Sequence, residues 1–249
     1  MSDLIVAVPD AHHHHQDQRA IDALWTMIDR EKPSEVVILG DWLDLKAPAR
    51  WSKGSADEFA ADILDECKAG KANLATLRSI MSTRRITFIT GNHEARLTSY
   101  VHRHAPALLH VVPSYQELLG FEELGIEHRH QPYAVAPGVR AIHGVRLSSM
   151  QSAAGQSAYK ERMRHGHSIV QGHTHRLGLG FDTQDRTRFW MECGHLLDIK
   201  QAHYLEFQGL ANWQQGFGFL VKDGSRITPG IVQVHNRGRF HFNGSHYGG

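Results

Sequence analysis

Residues 36–44 have the sequence VVILGDWLD, in which four apolar residues are followed by a glycine and two carboxylates. A short apolar run that is closed by a turn residue predicts a buried β-strand. The pattern recurs on both sides along the chain, because LIVAV at 4–8 precedes DAH at 10–12, and ITFIT at 86–90 precedes GNHE at 91–94. Strands that alternate with helical segments predict an α/β layered fold.

The segments between and after these strands complete the predicted secondary structure. Residues 17–30 carry apolar side chains at helical spacing, and a long polar helix is predicted at 56–81. Short helices are predicted over 94–124, with breaks at Pro106 and Pro113. The remaining predicted elements are a helix at 153–164 and strands at 139–142, 169–171, 188–191, 217–221, 231–234 and 239–242.

The composition is that of a globular protein with an excess of histidine. Of 249 residues, 41% are hydrophobic and 21% are charged, and no linker divides the chain, so a single domain over 1–249 is predicted. There are 20 histidines, and histidine is the commonest metal ligand. The formal charge of +1 argues against a strongly basic nucleic-acid coat and against an acidic tail.

The chain carries no sequence signal for a membrane or for secretion. No apolar run approaches the ~18 residues of a membrane helix, and the start MSDLIVAVPD lacks the basic and apolar regions of a signal peptide. Cys67 and Cys193 lie outside any CxxC motif and are expected to be reduced. We therefore expect a cytoplasmic protein.

Metal-ligating residue types follow five of the predicted strands. Besides the three segments above, HG at 143–144 and GHTH at 172–175 follow later strands. Ligands bind beyond the carboxyl ends of strands in open α/β sheets, so one shared polar site is expected. Residues i and i+2 of an extended segment point to the same side, which lets Asp10 and His12 present two ligands together. Such a mixture of carboxylate, imidazole and carboxamide suits Mn, Fe, Zn or Ni better than Ca.

The ordered motifs DxH, GDxxD, GNHE, HG and GHTH, between residues 10 and 175, resemble those of the calcineurin-like metallophosphoesterase superfamily. Each motif alone is weak, whereas all five in this order are specific. The resemblance implies a layered metallophosphoesterase-type β-sandwich flanked by helices, with the active site at the carboxyl ends of the strands.

The resemblance also implies a role for nine residues of this chain. The implied ligands of a first metal ion are Asp10, His12 and His175. Asp41 matches the carboxylate that bridges two ions, and the implied ligands of the second ion are Asn92, His143 and His173. His93 matches the histidine that meets the substrate, and Asp44 matches the carboxylate that holds that histidine.

The chemistry of two divalent ions agrees with these implied roles. Two ions about 3.5–4 Å apart lower the pKa of a bridging water, so that a hydroxide can attack the phosphorus, and they clamp the phosphoryl oxygens. Mn is favoured, with Fe, Zn, Ni or Mg as alternatives. His93 is then expected to give a proton to the leaving oxygen, which contributes about 10²–10⁴ in rate.

Residues beside the motifs have weaker predictions. Arg96 and Arg176 follow site motifs and are predicted to bind substrate phosphate, together with Asn92. Glu94 is expected to begin the next helix, where the helix dipole favours a carboxylate. Most of the run at 13–15 is expected to be solvated.

Tryptophans at two positions near the motifs leave two interpretations open. Trp42 lies within GDWLD, and Trp51 follows a few residues later. Both are expected in buried packing, with stacking on a nucleobase as the alternative.

The branch of the superfamily is narrowed by two further segments. Protein phosphatases of the superfamily have Arg-Gly after GDxxD, whereas this chain has Leu45 and Lys46. GHTH together with DxH and GNHE is more similar to phosphodiesterases and nucleases. The stretches 212–218 and 91–97 resemble phage-encoded members, for which the host cytoplasm is the expected location.

The predicted activity is hydrolysis of phosphodiester bonds in DNA, RNA or a nucleotide diester. Residues 140–190 contain eight Lys and Arg against three Asp and Glu, which favours a nucleic-acid backbone as partner. Two alternatives stay open: a phosphomonoesterase, and a non-catalytic module that binds nucleic acid or protein. The sequence does not determine the oligomeric state.

Overall fold

The computed structural model describes residues 3–60, 62–144, 153–185, 187–201 and 212–249. Its strands are β1 (Asp3–Val8), β2 (Glu35–Ile38), β3 (Arg85–Ile89), β4 (Glu127–Arg129), β5 (Tyr133–Ala136), β6 (Val139–Ile142), β7 (Ser168–Gln171), β8 (Leu177–Phe181), β9 (Phe189–Cys193), β10 (Gly216–Asp223), β11 (Arg226–Gln233), β12 (Phe240–Phe242) and β13 (Ser245–Tyr247). Its α-helices are α1 (Gln18–Glu31), α2 (Ala56–Ala60), α3 (Ile63–Met81), α4 (Glu94–His104), α5 (Tyr115–Leu118) and α6 (Gln156–His165).

Most of the strands form two sheets. The first has six strands in the order β11-β10-β1-β2-β3-β4, and β1 to β4 run parallel to one another. The second has five strands in the order β5-β6-β7-β9-β8, with β6, β7 and β9 parallel. The carboxyl ends of β1, β2 and β3 therefore lie at one edge of the first sheet, and those of β6 and β7 lie at one edge of the second.

Alternate residues of the strands pack into two different cores. Ile5 and Ala7 of β1 pack in one core with Met191 of the second sheet. Val6 and Val8 belong to the other core, which contains the buried faces of α1 and α3. This alternation follows from the two-residue period of a strand. The α/β sandwich flanked by helices is thus confirmed.

The predicted single helix at 56–81 was wrong, because the segment forms two helices. Asp62 has an extended backbone, with φ −92° and ψ 98°, which ends the helical path after α2. Its side chain accepts hydrogen bonds from the backbone N–H groups of Leu64 and Asp65, so that it caps α3. Helical periodicity continues through this cap, which is why the pattern alone suggested one helix.

Other elements match or extend the prediction. α4 ends at His104 and α5 begins at Tyr115, in agreement with breaks at Pro106 and Pro113. The sequence missed β4, β5, β8 and β13, which are short and, in β8, interrupted by glycine. Within the described part of the chain, no helix has both the length and the apolar character needed to cross a bilayer.

Candidate metal centre

Four of the predicted ligands have backbone conformations that are uncommon outside glycine. The angle φ is 48° at His12, 49° at Asp41, 69° at His173 and 57° at His175. Such conformations cost ~1–3 kcal/mol each and concentrate at functional sites. Backbone strain in three of the strand-to-loop connections, those after β1, β2 and β7, therefore coincides with the motif residues.

Three side chains form a first cluster that could hold a metal ion: Asp10, His12 and His175. The Nε2 atoms of His12 and His175 lie 3.1 Å apart, and His175 Nε2 lies 3.5 Å from Asp10 Oδ1. All three residues are buried. Two imidazole nitrogens and a carboxylate oxygen thus converge in a space from which water is largely excluded.

Asp44 fixes the orientation of His12 in this cluster. His12 Nδ1–H donates to Asp44 Oδ1 at 3.0 Å, which leaves the Nε2 lone pair directed toward His175. Burial lowers the pKa of His12, but the hydrogen bond to Asp44 and the charge of Asp41 outweigh burial and raise it. For Asp44, burial is likewise outweighed by the bonds from His12 and His93, which hold its carboxyl pKa well below the usual range. A carboxylate behind a ligating imidazole is the usual support of metal sites.

A second cluster contains Asp41, His143 and His173. His143 Nδ1–H donates to the backbone oxygen of Leu39 at 2.8 Å, so that Nε2 faces Asp41 Oδ2 at 3.2 Å and Asn92 Oδ1 at 3.0 Å. Burial lowers the pKa of His143, yet the Asp41 charge raises it to about 9. A cation that displaces the Nε2 proton of His143 would meet three converging lone-pair atoms here, one nitrogen and two oxygens.

Asp41 lies between the two clusters. Its Oδ2 atom is 3.9 Å from His12 Nε2 in the first cluster and 3.2 Å from His143 Nε2 in the second. Although burial raises its carboxyl pKa, the charges of His143 and His93 hold it well below the usual range. The donor set of both clusters, nitrogen and oxygen without cysteine, fits two divalent transition-metal ions.

His93 lies beside both clusters and contacts Arg96. His93 Nδ1–H donates to the backbone oxygen of Asp44 at 2.7 Å, and its Nε2 accepts from Arg96 Nη2 at 2.6 Å. The Asp44 carboxylate is also near, with Oδ1 3.2 Å from His93 Nδ1. Arg96 Nη1 donates to the same Asp44 oxygen at 2.7 Å. Asp44 thus supports two histidines, His12 through its carboxylate and His93 mainly through its backbone.

Gly91 is the glycine that the site requires most strictly. A Cβ atom at this position would lie 2.2 Å from Asp41 Oδ1 and 2.3 Å from the Asp41 nitrogen. Loops after β2 and β3 therefore meet without space for any side chain. This close approach brings Asp41 and Asn92 to the same centre.

Two buried carboxylates hold the loops from behind. Glu94 accepts hydrogen bonds from the backbone N–H groups of Asp41 and Gly91 on Oε2 and of Leu43 on Oε1, at 2.8–3.0 Å. Burial and the Asp41 charge raise its pKa to about 7. Glu94 thus has a structural role, as expected, but it stabilises the loop after β2 as well as the start of its own helix.

Glu66 of α3 supports the next part of the same loop, and sequence reasoning missed it. Its Oε1 atom accepts hydrogen bonds from the backbone N–H groups of Asp44 at 2.5 Å and Leu45 at 2.7 Å. Nothing in the helical pattern of α3 distinguishes this residue from a solvated glutamate.

His195 is a second residue that the sequence did not single out. It is fully buried, and its ring centroid lies 5.6 Å from that of His175. Its Nδ1 accepts from the Leu197 N–H at 3.0 Å, while Nε2 has no partner among the described residues. The only sequence signal is its place just after β9, at the same edge of the second sheet.

Arg176 and the tryptophans occupy contrasting environments. Arg176 is only 8% exposed, and its Nε and Nη1 atoms have no hydrogen-bond partner in the described part of the chain. Trp42 is fully buried and donates to the Gly70 oxygen at 3.1 Å, so it is a core residue. Trp51, in contrast to the expected buried packing, is 63% exposed.

The remaining motif-associated residues are distributed as follows. His13 is fully buried and bonds to Trp42 O and Asn73, whereas His14 is exposed and His15 is half-buried. In the basic segment 140–190, Arg146 and Arg186 lie outside the described residues. The three acidic residues of that segment pair with basic neighbours: Arg162–Asp182, Arg164–Glu161 and Arg188–Asp185.

Two phage proteins are similar to this chain over nearly its full length. The Gene 54 protein of Mycobacterium phage D29 is 35% identical over 254 residues, covering 98% of both chains. The Gene 54 protein of Mycobacterium phage L5 is 36% identical over the same coverage. No protein-family model matches the chain.

Solved structures of Vps29 share the fold. Chaetomium thermophilum Vps29 has a TM-score of 0.52 at 13% identity, covering 98% of this chain and 92% of that one. Vacuolar Protein Sorting 29 from Cryptosporidium parvum also has a TM-score of 0.52, at 12% identity, covering 100% of this chain and 99% of that one. At such identities the likeness concerns the fold alone. The chain belongs to the family of mycobacteriophage Gene 54 proteins, and it has the calcineurin-like metallophosphoesterase fold.

Proposed function

We propose that this protein is a two-metal phosphodiesterase that hydrolyses nucleic acid or a nucleotide diester. The observation that carries the proposal is the position of Asp41, whose Oδ2 lies within 3.9 Å of His12 and 3.2 Å of His143. A buried carboxylate shared by two ligand clusters is what a pair of divalent ions requires. The fold and the buried His/Asp clusters support a metallophosphoesterase in general.

Seven residues would hold the two ions. The first ion would be held by Asp10, His12, Asp41 and His175, and the second by Asp41, Asn92, His143 and His173. When bound, two divalent ions supply Lewis-acid activation of water and neutralise charge on the phosphoryl oxygens. Mn²⁺ is our first choice because the ligands are imidazole and oxygen, and Fe, Zn, Ni and Mg are the alternatives to be compared.

Charge favours an anionic substrate at this centre. Two divalent ions carry four positive charges, whereas only Asp10 and Asp41 among the proposed ligands are carboxylates. Arg96 adds a further positive charge next to His93. The pocket would therefore attract a phosphate ester and would stabilise charge that develops on its oxygens.

The side chains beside the ions have separate tasks in the proposed reaction. His93 holds its Nδ1 proton on the Asp44 backbone oxygen, while its Nε2 accepts from Arg96. Once Arg96 turns to the phosphate, Nε2 would take up a proton from water and pass it to the leaving oxygen. Arg96 would exchange its bond with His93 for one to a phosphoryl oxygen. Arg176 has two buried, unpaired donors that would bind a second phosphate oxygen or the neighbouring phosphate.

The test is hydrolysis of bis(p-nitrophenyl) phosphate and of p-nitrophenyl phosphate by protein loaded with Mn²⁺. We expect faster turnover of the diester, and a loss of about 10²–10⁴ in kcat for His93→Ala. Asn92→Ala should lose activity that added Mn²⁺ partly restores. His102→Ala, on the exposed face of α4, is the matched control and should retain full activity.

Two outcomes would overturn the proposal. Faster turnover of the monoester would identify a phosphomonoesterase. The protein would be a binding module if, when loaded with metal, it hydrolyses neither ester and binds oligonucleotide tightly. In that case His93→Ala should leave the binding unchanged. For a phage protein, we propose the host cytoplasm as the place where the enzyme meets DNA or RNA.

A further inference from the structure

Trp51 presents an aromatic ring to solvent beside the proposed catalytic histidine. It lies in the loop between β2 and α2, and its side chain is 63% exposed. The guanidinium carbon of Arg96 lies 4.9 Å from the ring centroid, and that of Arg50 lies 5.7 Å away. Both distances are within the range of a cation–π contact.

The loop that carries Trp51 is built to hold it in this position. The next residue, Ser52, is buried, and its Oγ donates to the Lys46 oxygen at 2.7 Å. The Ser52 N–H donates to the Ala49 oxygen at 3.1 Å. Lys46 in turn forms an ion pair with Asp57 of α2 at 3.0 Å. These bonds order the loop backbone beside Trp51, whose ring stays exposed although exposing a tryptophan forfeits hydrophobic stabilisation.

Arg96 connects the ring to the reaction centre. The guanidinium that lies against Trp51 also donates to His93 Nε2 at 2.6 Å and to the Asp44 oxygen at 2.7 Å. The ring is thus separated from His93 by a single guanidinium group. If a nucleotide places its phosphate at His93, its base can therefore reach the Trp51 ring.

We propose that Trp51 is a stacking platform for the nucleobase next to the scissile phosphate. This inference rests on the proposed phosphodiesterase function and narrows its substrate to diesters of nucleosides, with an unpaired base, as in single-stranded nucleic acid. An aromatic face binds any base by stacking, and the two flanking arginines favour a ligand that carries phosphate. Diesters of simple alcohols have no ring to place on Trp51.

The inference is tested with two substrates that share one leaving group: the p-nitrophenyl ester of thymidine 5′-phosphate, and methyl p-nitrophenyl phosphate. Trp51→Ala should lower kcat/KM for the thymidine ester by about 5- to 150-fold, the factor that corresponds to loss of one stacked base. It should change kcat/KM for the methyl ester less than twofold, and Trp51→Phe should retain most activity on both. Phe59→Ala, which removes another exposed aromatic side chain from α2, is the matched control and should change neither.

A binding measurement separates failure of this inference from failure of the proposed function. Without metal, oligo(dT) should quench tryptophan fluorescence of the wild type, and Trp51→Ala should weaken its binding by a similar factor. If no diester is hydrolysed but this Trp51-dependent binding is present, the proposed function fails, and Trp51 is a base-stacking residue of a binding site. The platform is refuted if Trp51→Ala affects both esters equally or neither, or if it only converts a dimer of this chain into monomers.

Discussion

Replacing Glu66 by glutamine would remove a buried charge and keep the hydrogen bonds that hold the loop at Asp44. Both backbone N–H groups, of Asp44 and Leu45, donate to the same oxygen of Glu66. A glutamine has one carbonyl oxygen, which can take that position. Its volume is also that of glutamate, so no cavity is expected and both backbone N–H groups keep an acceptor.

The size of the effect follows from the pKa of Glu66. Burial and the charge of Asp44 raise this pKa from its usual 4.5 to about 8. Because the folded-state pKa lies above the unfolded-state pKa, the folded protein binds the proton more tightly between these two values. The contribution of Glu66 to the free energy of unfolding is therefore fully present below pH 4.5, and it is lost as the pH rises to 8. One pH unit of this interval is worth about 1.4 kcal/mol, so the total is on the order of 5 kcal/mol.

Urea unfolding followed by tryptophan fluorescence measures this difference. At pH 5, where Glu66 is protonated, Glu66→Gln should match the wild type within about 1 kcal/mol. At pH 8.5 the variant should be more stable by about 2–4 kcal/mol. Glu66→Ala should be less stable than Glu66→Gln at both pH values, because it leaves two backbone N–H groups unpaired at ~1–3 kcal/mol each.

The refuting result is equally definite. If Glu66→Gln loses stability between pH 5 and pH 8.5 as steeply as the wild type, the buried carboxyl of Glu66 is not the titrating group. If Glu66→Ala equals Glu66→Gln at pH 5, the two hydrogen bonds to the loop do not contribute as described.

Two further substitutions test the backbone and the core of the site. Gly91→Ala would place a Cβ atom 2.2 Å from Asp41 Oδ1, so we expect at least a tenfold loss of Mn²⁺ affinity in calorimetric titration; unchanged affinity would contradict the close approach. His13→Ala should lower the free energy of unfolding by about 2–4 kcal/mol, because it removes a buried ring bonded to Trp42 and Asn73. Its metal stoichiometry should stay at the wild-type value, and a lost ion would mean that His13 is a ligand.

The clustering of the candidate ligands was largely predictable because strand ends and ligand motifs coincide in the sequence. An apolar run closed by glycine places the next polar residue at the edge of a parallel sheet, as at Asp41 after β2. His143 and His173 follow strands of the second sheet in the same way. Local pattern was sufficient here because each strand independently directs its last residues to one edge.

The supporting residues could not be predicted, because their roles depend on contacts between distant parts of the chain. Glu66 lies on a helix surface by pattern, and only the packing of α3 against the loop brings it to Asp44. His195 is connected to the site only by the contact of its ring with that of His175. The division of 56–81 into two helices depends on a cap by Asp62, whose side chain bonds to the backbone of the next turn, and helical spacing does not reveal such a bond.

The central claim is that two metal ions share Asp41, and a crystal structure of Mn²⁺-loaded protein with an anomalous-difference map tests it most directly. The account predicts two manganese peaks about 3.5–4 Å apart, with Asp41 in contact with both. One peak should lie among Asp10, His12 and His175, and the other among Asn92, His143 and His173. A single peak, or two peaks of which neither contacts Asp41, would contradict the account.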